Sequence, residues 1–539
     1  MDIKKITLYM ALALVLFALW SAWQKDYPVH QAAPTTQATT TATTTTTADT
    51  TTTTTSPAIT QLTTIPANRI VHVHTNVLDL DIDTLGGNVI NTKLPKYSAS
   101  LNTPDVPVQI LSNQTDNLYV AQSGIQSAAN GKPIQYSVAQ KDYTLQPNAQ
   151  TLDITLTGRN QAGLKITKTF HFSQDNYTID INYQIANTSS KAWAGKIYNQ
   201  IVRKKPGKIK GFSYHTFTGA AISSSEKPYE KISYKKMDQA NLSRDISGGW
   251  TAMQQRYFLT AWVPDQSTTH HYYSRVTDQD IYTVGIATPV NIASGQQISS
   301  SSKLYVGPEI AANLKPLAKG LDLTINYGWL WPISVAIFWV MQKIFNVVGN
   351  WGWSIVIITL LIKLIFYKFS ETSYRSMAKM RVLAPQMKAL QERYKDDRQK
   401  LSQATMELYR KEKANPISGC LPMIIQIPFF IALYYVLIAA VQFRHAPFIF
   451  WIHDLSVKDP YYILPILMGL SMLLTTKLNP APPDPTQAKM MMLLPVVFTV
   501  LFISFPAGLV LYWLVNNLAS ALQQWYIMKR YEHTHPRRK

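Results

Sequence analysis

The chain has 539 residues, of which 46% are hydrophobic, and its formal net charge is +20 at pH 7. This length allows more than one domain, and the positive charge suits nucleic acid, ribosomes or anionic lipid. Several long apolar segments favour lipid, and we expect no DNA binding. Cys420 is the only cysteine, which excludes an internal disulfide and a cysteine-rich zinc site, so we expect it to be a small packing residue.

The first predicted element is an N-terminal transmembrane anchor, residues 1–24. Ile6–Trp23 is almost uninterruptedly apolar and follows two lysines, which predicts a cytoplasmic N-terminus. A cleaved signal peptide is the alternative, but Leu19–Trp23 is too bulky for a cleavage site, so we expect an uncleaved anchor. Residues 25–58 are rich in threonine, cannot build a core, and are expected to form a disordered linker.

Strand patterns dominate residues 59–320. In Tyr177–Ile185 apolar and polar residues alternate strictly, which is typical of a strand with one buried and one solvated face. A region of this size favours one large all-β sandwich. His72 and His74 share one strand face and could bind a metal. No third ligand can be assigned, however, so we expect two polar residues on a solvated face and no metal.

Six further hydrophobic stretches follow, at about 327–348, 351–369, 419–441, 461–477, 490–505 and 507–527. Together with the anchor they would make seven spans and place residues 370–418 outside the cell. That loop carries eleven lysine and arginine residues, and short basic loops stay cytoplasmic. Region 321–349, with Pro332, Gln342 and three tryptophans, is therefore expected to be an interfacial amphipathic helix. We predict six spans, with both termini in the cytoplasm and the β domain in the periplasm.

The basic loop 370–418 is predicted to form a cytoplasmic helical hairpin. Apolar residues recur at three- and four-residue steps, as in a heptad repeat. Asp396 or Asp397 can cap the second helix, and Asn415-Pro416 ends it. The charged outer face is either simply solvated or receives a ribosome, a targeting factor or a nascent chain. The heptad residues are Met380, Leu383, Met387, Leu390 and Tyr394 in the first helix, and Leu401, Ala404 and Leu408 in the second.

Polar residues inside the apolar stretches are the candidates for function. Lys363 lies within 351–369 with no acid nearby, and an ammonium at the bilayer centre costs roughly 2.5–3.5 kcal/mol. Thr359, Lys363 and Tyr367 are spaced by four and should share one helix face. Polar groups in lipid need partners, so we expect them to face the polar residues of other spans or a shared water-filled cavity. Those residues are Gln426 in the third span, and Trp513, Asn516, Asn517 and Ser520 in the last.

Two simpler interpretations remain open at this point. The amides and hydroxyls could make ordinary hydrogen bonds between helices, and Lys363 could extend its ammonium to the cytoplasmic headgroups. No nucleotide-binding loop, zinc-protease motif, nucleophile elbow or carboxylate cluster occurs in the sequence, so we expect neither an enzyme nor a cofactor. A small-molecule transporter with a periplasmic binding domain is the alternative function, although the two halves show no repeat. A second alternative function is that of a membrane-anchored periplasmic binding or sugar-processing protein.

Six stretches of the second half match a known family and together cover most of 350–530. They are Asn350–Ile355, Met377–Arg381, Asn415–Pro422, Trp451–Leu455, Asp459–Pro465 and Phe505–Tyr512. In these stretches the second half of the chain resembles the YidC family of membrane protein insertases. The first half resembles the family only in layout, with an anchor before a large periplasmic sandwich, as in Gram-negative members.

The resemblance implies a multi-domain inner-membrane protein whose five-helix core, residues 350–539, has a hydrophilic groove open to the cytoplasm and to lipid. The family usually carries an arginine in this groove; Lys363 keeps the charge but not the planar guanidinium fork. It also implies a mobile hairpin, Gln426 in the groove, and Phe502 and Trp513 along the substrate path. The implied partners are nascent membrane proteins, the Sec translocon (SecYEG and SecDF), anionic lipids, and the ribosome, which would bind through the cytoplasmic loops and the basic C-terminal tail.

Overall fold

The structure is a computed structural model that describes residues 65–127, 132–207, 217–277, 280–395, 397–412, 421–479 and 485–534. The expected anchor and linker, Asp396, Asn415-Pro416 and Cys420 lie outside the described residues. Within them, the first part of the chain forms a β domain and the second part forms a bundle of helices.

Among the described residues, nineteen strands form two sheets in the β domain. They are β1 Ile70–His74, β2 Asp79–Asp83, β3 Asn88–Ser100, β4 Thr103–Leu111, β5 Tyr119–Ser127, β6 Tyr136–Ser137, β7 Asp142–Thr144, β8 Thr151–Arg159, β9 Leu164–Ser173, β10 Thr178–Asn187, β11 Trp193–Lys204, β12 Gly219–Ile222, β13 Glu230–Ile232, β14 Ser243–Ser247, β15 Thr251–Gln254, β16 Phe258–Pro264, β17 Thr269–Thr277, β18 Ile281–Ile292 and β19 Gln297–Pro308. The first sheet has the order β14-β17-β18-β11-β5-β3-β2-β1-β7, with β4 also paired to β3. The second has the order β13-β12-β15-β16-β19-β10-β9-β8-β6.

The predicted alternation of buried and exposed residues is confirmed in β10. Ile179, Ile181 and Ile185 are fully buried, whereas Asn182 and Gln184 are exposed. The inner faces of both sheets contribute to one apolar core, so the predicted all-β sandwich is confirmed. Alternating apolar and polar residues place the apolar ones in this core, because successive side chains of a strand point to opposite faces of the sheet.

The helices are α1 Tyr234–Gln239 and α2 Ala311–Leu314 in the β domain, followed by α3 Trp331–Val348, α4 Trp351–Ile365, α5 Tyr367–Val382, α6 Ala384–Arg393, α7 Arg398–Lys411, α8 Leu421–Ala439, α9 Ile463–Leu478, α10 Pro485–Phe502 and α11 Ala507–Thr534. A second apolar core joins α3, α4, α8, α9, α10 and α11. Asn350 begins α4 because its side chain accepts a hydrogen bond from the Trp353 amide.

Among the described residues, α3 alone is long and apolar enough to cross a bilayer without help from a neighbouring helix. Helices α4 and α5 meet this criterion only as a pair, and they are bent by 68°. Three more apolar helical segments, Ile424–Ala439, Ile463–Leu478 and Lys489–Phe502, are shorter. The count of six spans and the interfacial position of α3 therefore remain predictions.

The predicted long helices around the basic loop are broken at two points. The apolar stretch 351–369 does not form one helix, because α4 ends at Ile365 and α5 starts after the bend at Phe366. The heptad repeat is also divided, since α5 ends before Leu383 and α6 begins at Ala384. Pro385 explains the second break, because a proline is tolerated only in the first turn of a helix.

The end of the hairpin agrees with the sequence. Asp397 caps α7 by accepting hydrogen bonds from the amides of Gln399 and Lys400, as predicted. Helices α6 and α7 contact each other through a small apolar cluster in which Leu383, Met387 and Tyr409 are buried. Leu390, Tyr394, Leu401, Ala404 and Leu408 are only half-buried. Helical segments in this region are thus confirmed, whereas the cytoplasmic location of the hairpin stays a prediction.

The loop after α8 contacts the β domain. Arg444 donates a hydrogen bond from Nη2 to the carbonyl oxygen of Ala99 at 3.0 Å. The Ser98 hydroxyl lies 3.0 Å from Nδ1 of His445. Val441 is buried in the core of the β domain itself. The end of α8 is therefore fastened to the sandwich by both polar and apolar contacts.

Candidate functional site

Lys363 lies on α4 and is buried in the helical bundle. Only 3% of its surface is accessible, and its Nζ atom donates a hydrogen bond to the Ser520 hydroxyl at 2.5 Å. Among the described residues it forms no ion pair with a carboxylate and no other hydrogen bond. An ammonium has three N–H donors, so two of them are available to a further acceptor. Lys363 is thus an isolated cation with unused hydrogen-bonding capacity.

Helix α11 connects this lysine to the other polar residues of the bundle. Its Ser520 hydroxyl donates to the Asn516 carbonyl oxygen on the same helix. The Asn516 side-chain amide donates to Oε1 of Gln426 on α8 at 3.2 Å. Three helices therefore meet at one polar cluster, which we define as Lys363, Gln426, Asn516 and Ser520.

The next polar residues along α11 contact α9. Asn517 donates from Nδ2 to the Ser471 hydroxyl at 3.1 Å, and Gln524 donates from Nε2 to Oδ1 of Asn479 at 2.9 Å. The sequence does not single out Ser471 and Asn479 as the partners of these amides. Ser471 could have been found in the same way as the other candidates, because it is a polar residue inside an apolar stretch. Asn479 follows the last residue of α9, and an asparagine is common at the end of a helix, so its position gives no sign of a contact with α11.

The access of water differs across the polar cluster. Gln426, Asn516 and Ser520 are half-buried, whereas Lys363 is closed off from bulk solvent. The Lys363 side chain does not reach an exposed surface of the bundle, so it does not extend its ammonium outward in the way that contact with the headgroups would require. The open hydrophilic groove implied by the resemblance is not visible at Lys363, and its existence stays a prediction.

Two further groove candidates lie apart from the polar cluster. Thr359 is buried one turn before Lys363, but its hydroxyl donates to the Ile355 carbonyl oxygen of its own helix at 2.6 Å. Thr359 and Lys363 lie four residues apart on α4, whereas Tyr367 is the first residue of α5, beyond the bend, so the expectation that all three lie on one helix is wrong for Tyr367. Tyr374 of α5 does approach the polar cluster, because its hydroxyl interacts with Ser520.

Phe502 and Trp513 belong to an aromatic cluster beside the polar one. Their ring centroids lie 5.3 Å apart, and Phe430 of α8 lies 4.7 Å from Trp513 in an edge-on arrangement. Phe498 and Phe505 complete the aromatic cluster. Among the described residues, the Trp513 indole Nε1 is buried without a hydrogen-bond partner. A buried Trp N–H usually has a hydrogen-bond partner, so its absence here is unusual. The Trp513 N–H can therefore donate to an acceptor on an incoming chain.

His72 and His74 pair with carboxylates on the neighbouring strand. Their Nδ1 atoms lie 2.6 Å and 3.2 Å from Oδ1 of Asp81 and Asp79, respectively. Within the described residues, no three His, Cys, Asp or Glu side chains are grouped closely enough to hold a metal ion. Both histidines are exposed, so they lie on a solvated face of the sheet.

Comparison with known proteins covers both halves of the chain. Residues 70–340 match the model of the YidC periplasmic domain family, and residues 343–534 match that of the 60Kd inner membrane protein family. A Coxiella burnetii (strain Dugway 5J108-111) membrane protein insertase YidC is 52% identical over 99% of this chain and 97% of its own length. The Legionella pneumophila (strain Paris) membrane protein insertase YidC is 46% identical over 100% and 99%, respectively.

The comparison also includes a solved structure. The crystal structure of an active YidC insertase with its first transmembrane domain resolved covers 85% of this chain and 92% of its own chain. Its TM-score is 0.40 and its sequence identity is 18%. The two family matches identify the β domain as periplasmic and the chain as an inner-membrane protein. This chain belongs to the YidC family of membrane protein insertases.

Proposed function

We propose that this protein inserts newly made membrane proteins into the inner membrane, and that the polar cluster receives the hydrophilic flank of the entering segment. The observation that carries the site is the single hydrogen bond of Lys363, a buried cation with two unused donors and no carboxylate partner among the described residues. A buried charge is costly unless it is paired. An acidic flank would supply the missing counter-charge.

The first step is an exchange of partners at Lys363. The ammonium leaves the Ser520 hydroxyl and binds a carboxylate of the substrate, and Ser520 keeps its bond to the Asn516 carbonyl oxygen. A carboxylate adds the attraction between opposite charges, which the neutral Ser520 hydroxyl cannot offer to the ammonium, so this exchange favours substrate entry. The membrane potential adds roughly 2.3 kcal/mol per charge per 100 mV for an acidic flank that crosses to the periplasm.

The amides and the aromatic cluster act on the rest of the substrate. Gln426 and Asn516 are half-buried and bonded to each other, so they can exchange this bond for substrate backbone groups. The free Trp513 N–H offers one more donor at the border between polar and apolar surface. The apolar part of the substrate then moves into lipid along exposed side chains such as Ile424 on α8 and Leu522 on α11. Burial of that segment supplies the driving force, so no ATP site is required.

Several partners and the topology belong to the same proposal. The hairpin α6–α7 and the exposed Lys529 and Arg530 of α11 would face the cytoplasm and receive the ribosome. With six spans, the N-terminus and the C-terminus are both cytoplasmic. We further propose that the protein acts alone or with the Sec translocon. A small-molecule transporter is not favoured, since the relatives are insertases over their full length.

The electrostatic step can be tested with substitutions at Lys363. In reconstituted vesicles we expect Lys363→Glu to reduce insertion of an acid-flanked substrate on the order of tenfold or more, which corresponds to about 1.4 kcal/mol. Lys363→Arg should retain insertion, because it keeps the charge. The same substrate with its acidic residues changed to amides should depend far less on Lys363. Insertion is measured as protease-protected substrate.

The matched control is Lys368→Glu. Lys368 follows five residues later on α5 and is exposed, so its loss should affect both substrates equally and weakly. Equal insertion of both substrates by wild type, Lys363→Met and Lys363→Glu would refute the electrostatic role.

A further inference from the structure

A polar cavity lies on the outer face of the periplasmic β domain, far along the chain from the polar cluster. Its volume is about 420 Å³. This lies within the range of small-molecule sites. Every residue that lines it is polar, with two histidines, two aspartates, one lysine and four amide side chains. These are His72, His74, Asp79, Asp81, Asn91, Lys93, Gln109, Asn113 and Gln114.

The strand register arranges these side chains in two rows. In the first row, His74 pairs with Asp79, Asp79 with Lys93, and Lys93 with Gln109, across β1, β2, β3 and β4. Adjacent strands are about 4.8 Å apart, so this row extends about 14 Å. In the second row, His72 pairs with Asp81, and Asp81 with Asn91. The cavity floor is therefore a platform whose polar groups point out of one sheet.

Hydrogen bonds hold the second row in place. Asn91 donates from Nδ2 to Oδ2 of Asp81 at 2.8 Å, and the other oxygen of Asp81 lies 2.6 Å from His72. The Asn113 backbone amide donates to Oδ1 of Asn91 at 3.2 Å, which fixes the wall of the cavity. In the part of the chain that the structure describes, the side chains of Lys93 and Gln109 make no hydrogen bond. The floor is thus ordered, while the rim offers free donors and an acceptor.

The composition of the lining selects the ligand chemistry. The lining presents the polar ends of these side chains together with their carbon stems, which suits a ligand with both polar groups and C–H surface, and no metal-binding group of three exists in the described residues. A strongly anionic ligand would meet two carboxylates, and a cationic one would meet the ammonium of Lys93. Hydroxyl groups both donate and accept, and they match carboxylate, amide, imidazole and ammonium partners alike.

We propose that this cavity binds a neutral polyhydroxylated ligand about one or two sugar rings in size. Free sugars and the ends of longer glycans share this chemistry, and both fit a cavity that is open along the row. Such a ligand would give the periplasmic domain a binding function separate from insertion.

The proposal is tested by saturation-transfer NMR of the full chain in phosphatidylcholine nanodiscs, without glycerol or sugar detergents. Trehalose and maltohexaose are the probes, and glucose 6-phosphate and glycine betaine are the charged comparators. We expect saturable binding of the neutral sugars, with a dissociation constant on the order of 1 mM. Preference for maltohexaose would identify a glycan end, and equal affinity would identify a free sugar.

Variants locate the binding. Gln109→Trp fills the first row, and Asp79→Asn with Asp81→Asn removes the charged acceptors; each should weaken binding at least tenfold. The control is Ser301→Trp, which enters a different cavity of about 630 Å³ on the second sheet and should leave affinity unchanged. Hydrogen exchange of β1–β4 checks that the variants are folded. Absence of saturable sugar binding, tighter binding of a charged comparator, or loss only in Ser301→Trp would overturn the proposal.

Discussion

Lys168 is the most unusual single residue of the β domain, because lysine is almost never fully buried. Its Nζ atom donates to the Gly87 carbonyl oxygen at 2.5 Å, and to the carbonyl oxygen and hydroxyl of Ser123 at 3.0 and 2.8 Å. Lys168 lies on the second sheet and Ser123 on the first, so this side chain ties the two sheets together. The sequence does not reveal this role, since Lys168 occupies an inward position of β9 where an apolar residue is expected.

We predict that Lys168→Met lowers the free energy of unfolding of the β domain by about 1–3 kcal/mol, because buried acceptors at Gly87 and Ser123 lose their donor. The measurement is a urea titration of the full-length chain, read out by hydrogen exchange of β9. Lys165→Met, at an exposed position of the same strand, is the control and should change little. A Lys168→Met protein as stable as the control would contradict the role of this lysine.

The same residue predicts a pH dependence. Burial holds the pKa of Lys168 well below its usual range. Above that native pKa the unfolded chain binds more protons than the native one, so the free energy of unfolding rises with pH up to about 10.4. The slope should be present in wild type and smaller in Lys168→Met. Identical slopes in both proteins would show that another group titrates.

Local signals explain which helices could be predicted and where the prediction failed. Asp397 and Asn350 are ordinary helix caps, and both begin helices as their residue types suggest. The bend at Phe366 has no such signal, because no glycine or proline interrupts the apolar run from Ile355 to Phe369. The sequence therefore predicts one helix that contains both Lys363 and Tyr367, whereas in the structure Tyr367 begins α5. A bend of this kind depends on packing in the bundle, which sequence periodicity does not encode.

The contact between α8 and the β domain is a second element that only the structure reveals. Arg444 combines its hydrogen bond to Ala99 with a position over the Phe258 ring, 5.8 Å from the centroid. We predict that Arg444→Ala speeds hydrogen exchange in residues 441–456, measured in the full-length protein. Lys458→Ala is the control. Within the described residues the Lys458 ammonium lies over the Tyr462 ring and makes no hydrogen bond or ion pair with the β domain, so exchange should not change. Unchanged exchange in Arg444→Ala would mean that apolar contacts alone fasten the loop.

His445 makes this contact sensitive to acid. Burial and the neighbouring Arg444 lower the pKa of His445, while Asp454 opposes them. The docked loop then binds fewer protons than the released loop, so docking weakens as pH falls through about 6.5 toward the lowered pKa. Exchange in residues 441–456 should increase between pH 7.5 and pH 5, after correction for the intrinsic rate. The increase should be smaller in His445→Gln, and an equal increase there would contradict the assignment.

At the scale of the whole molecule, the sequence predicted a large β sandwich and apolar helices, because both follow from periodicity. It also predicted that polar residues of different spans would face one another or a shared cavity, since such groups require partners in lipid. In the structure Asn516 is hydrogen-bonded to Gln426. It did not predict that Lys363 would be closed off from solvent, because accessibility depends on how α4, α5 and α11 pack. Lys363 is therefore held by Ser520 within the polar cluster, and in the proposed function a substrate carboxylate takes over the ammonium.

The most direct measurement is photo-crosslinking to a ribosome-bound nascent chain that exposes one membrane segment. A photoreactive residue is placed at 363, 426 or 502 in turn, with Leu364 and Ile466, which are 69% and 53% exposed, as outward-facing controls. We predict crosslinks from the three inner positions that require the membrane segment and exceed those from the controls. Crosslinks that are absent at all three positions, or no stronger than at Leu364 and Ile466, would contradict the claim that the polar cluster receives the substrate.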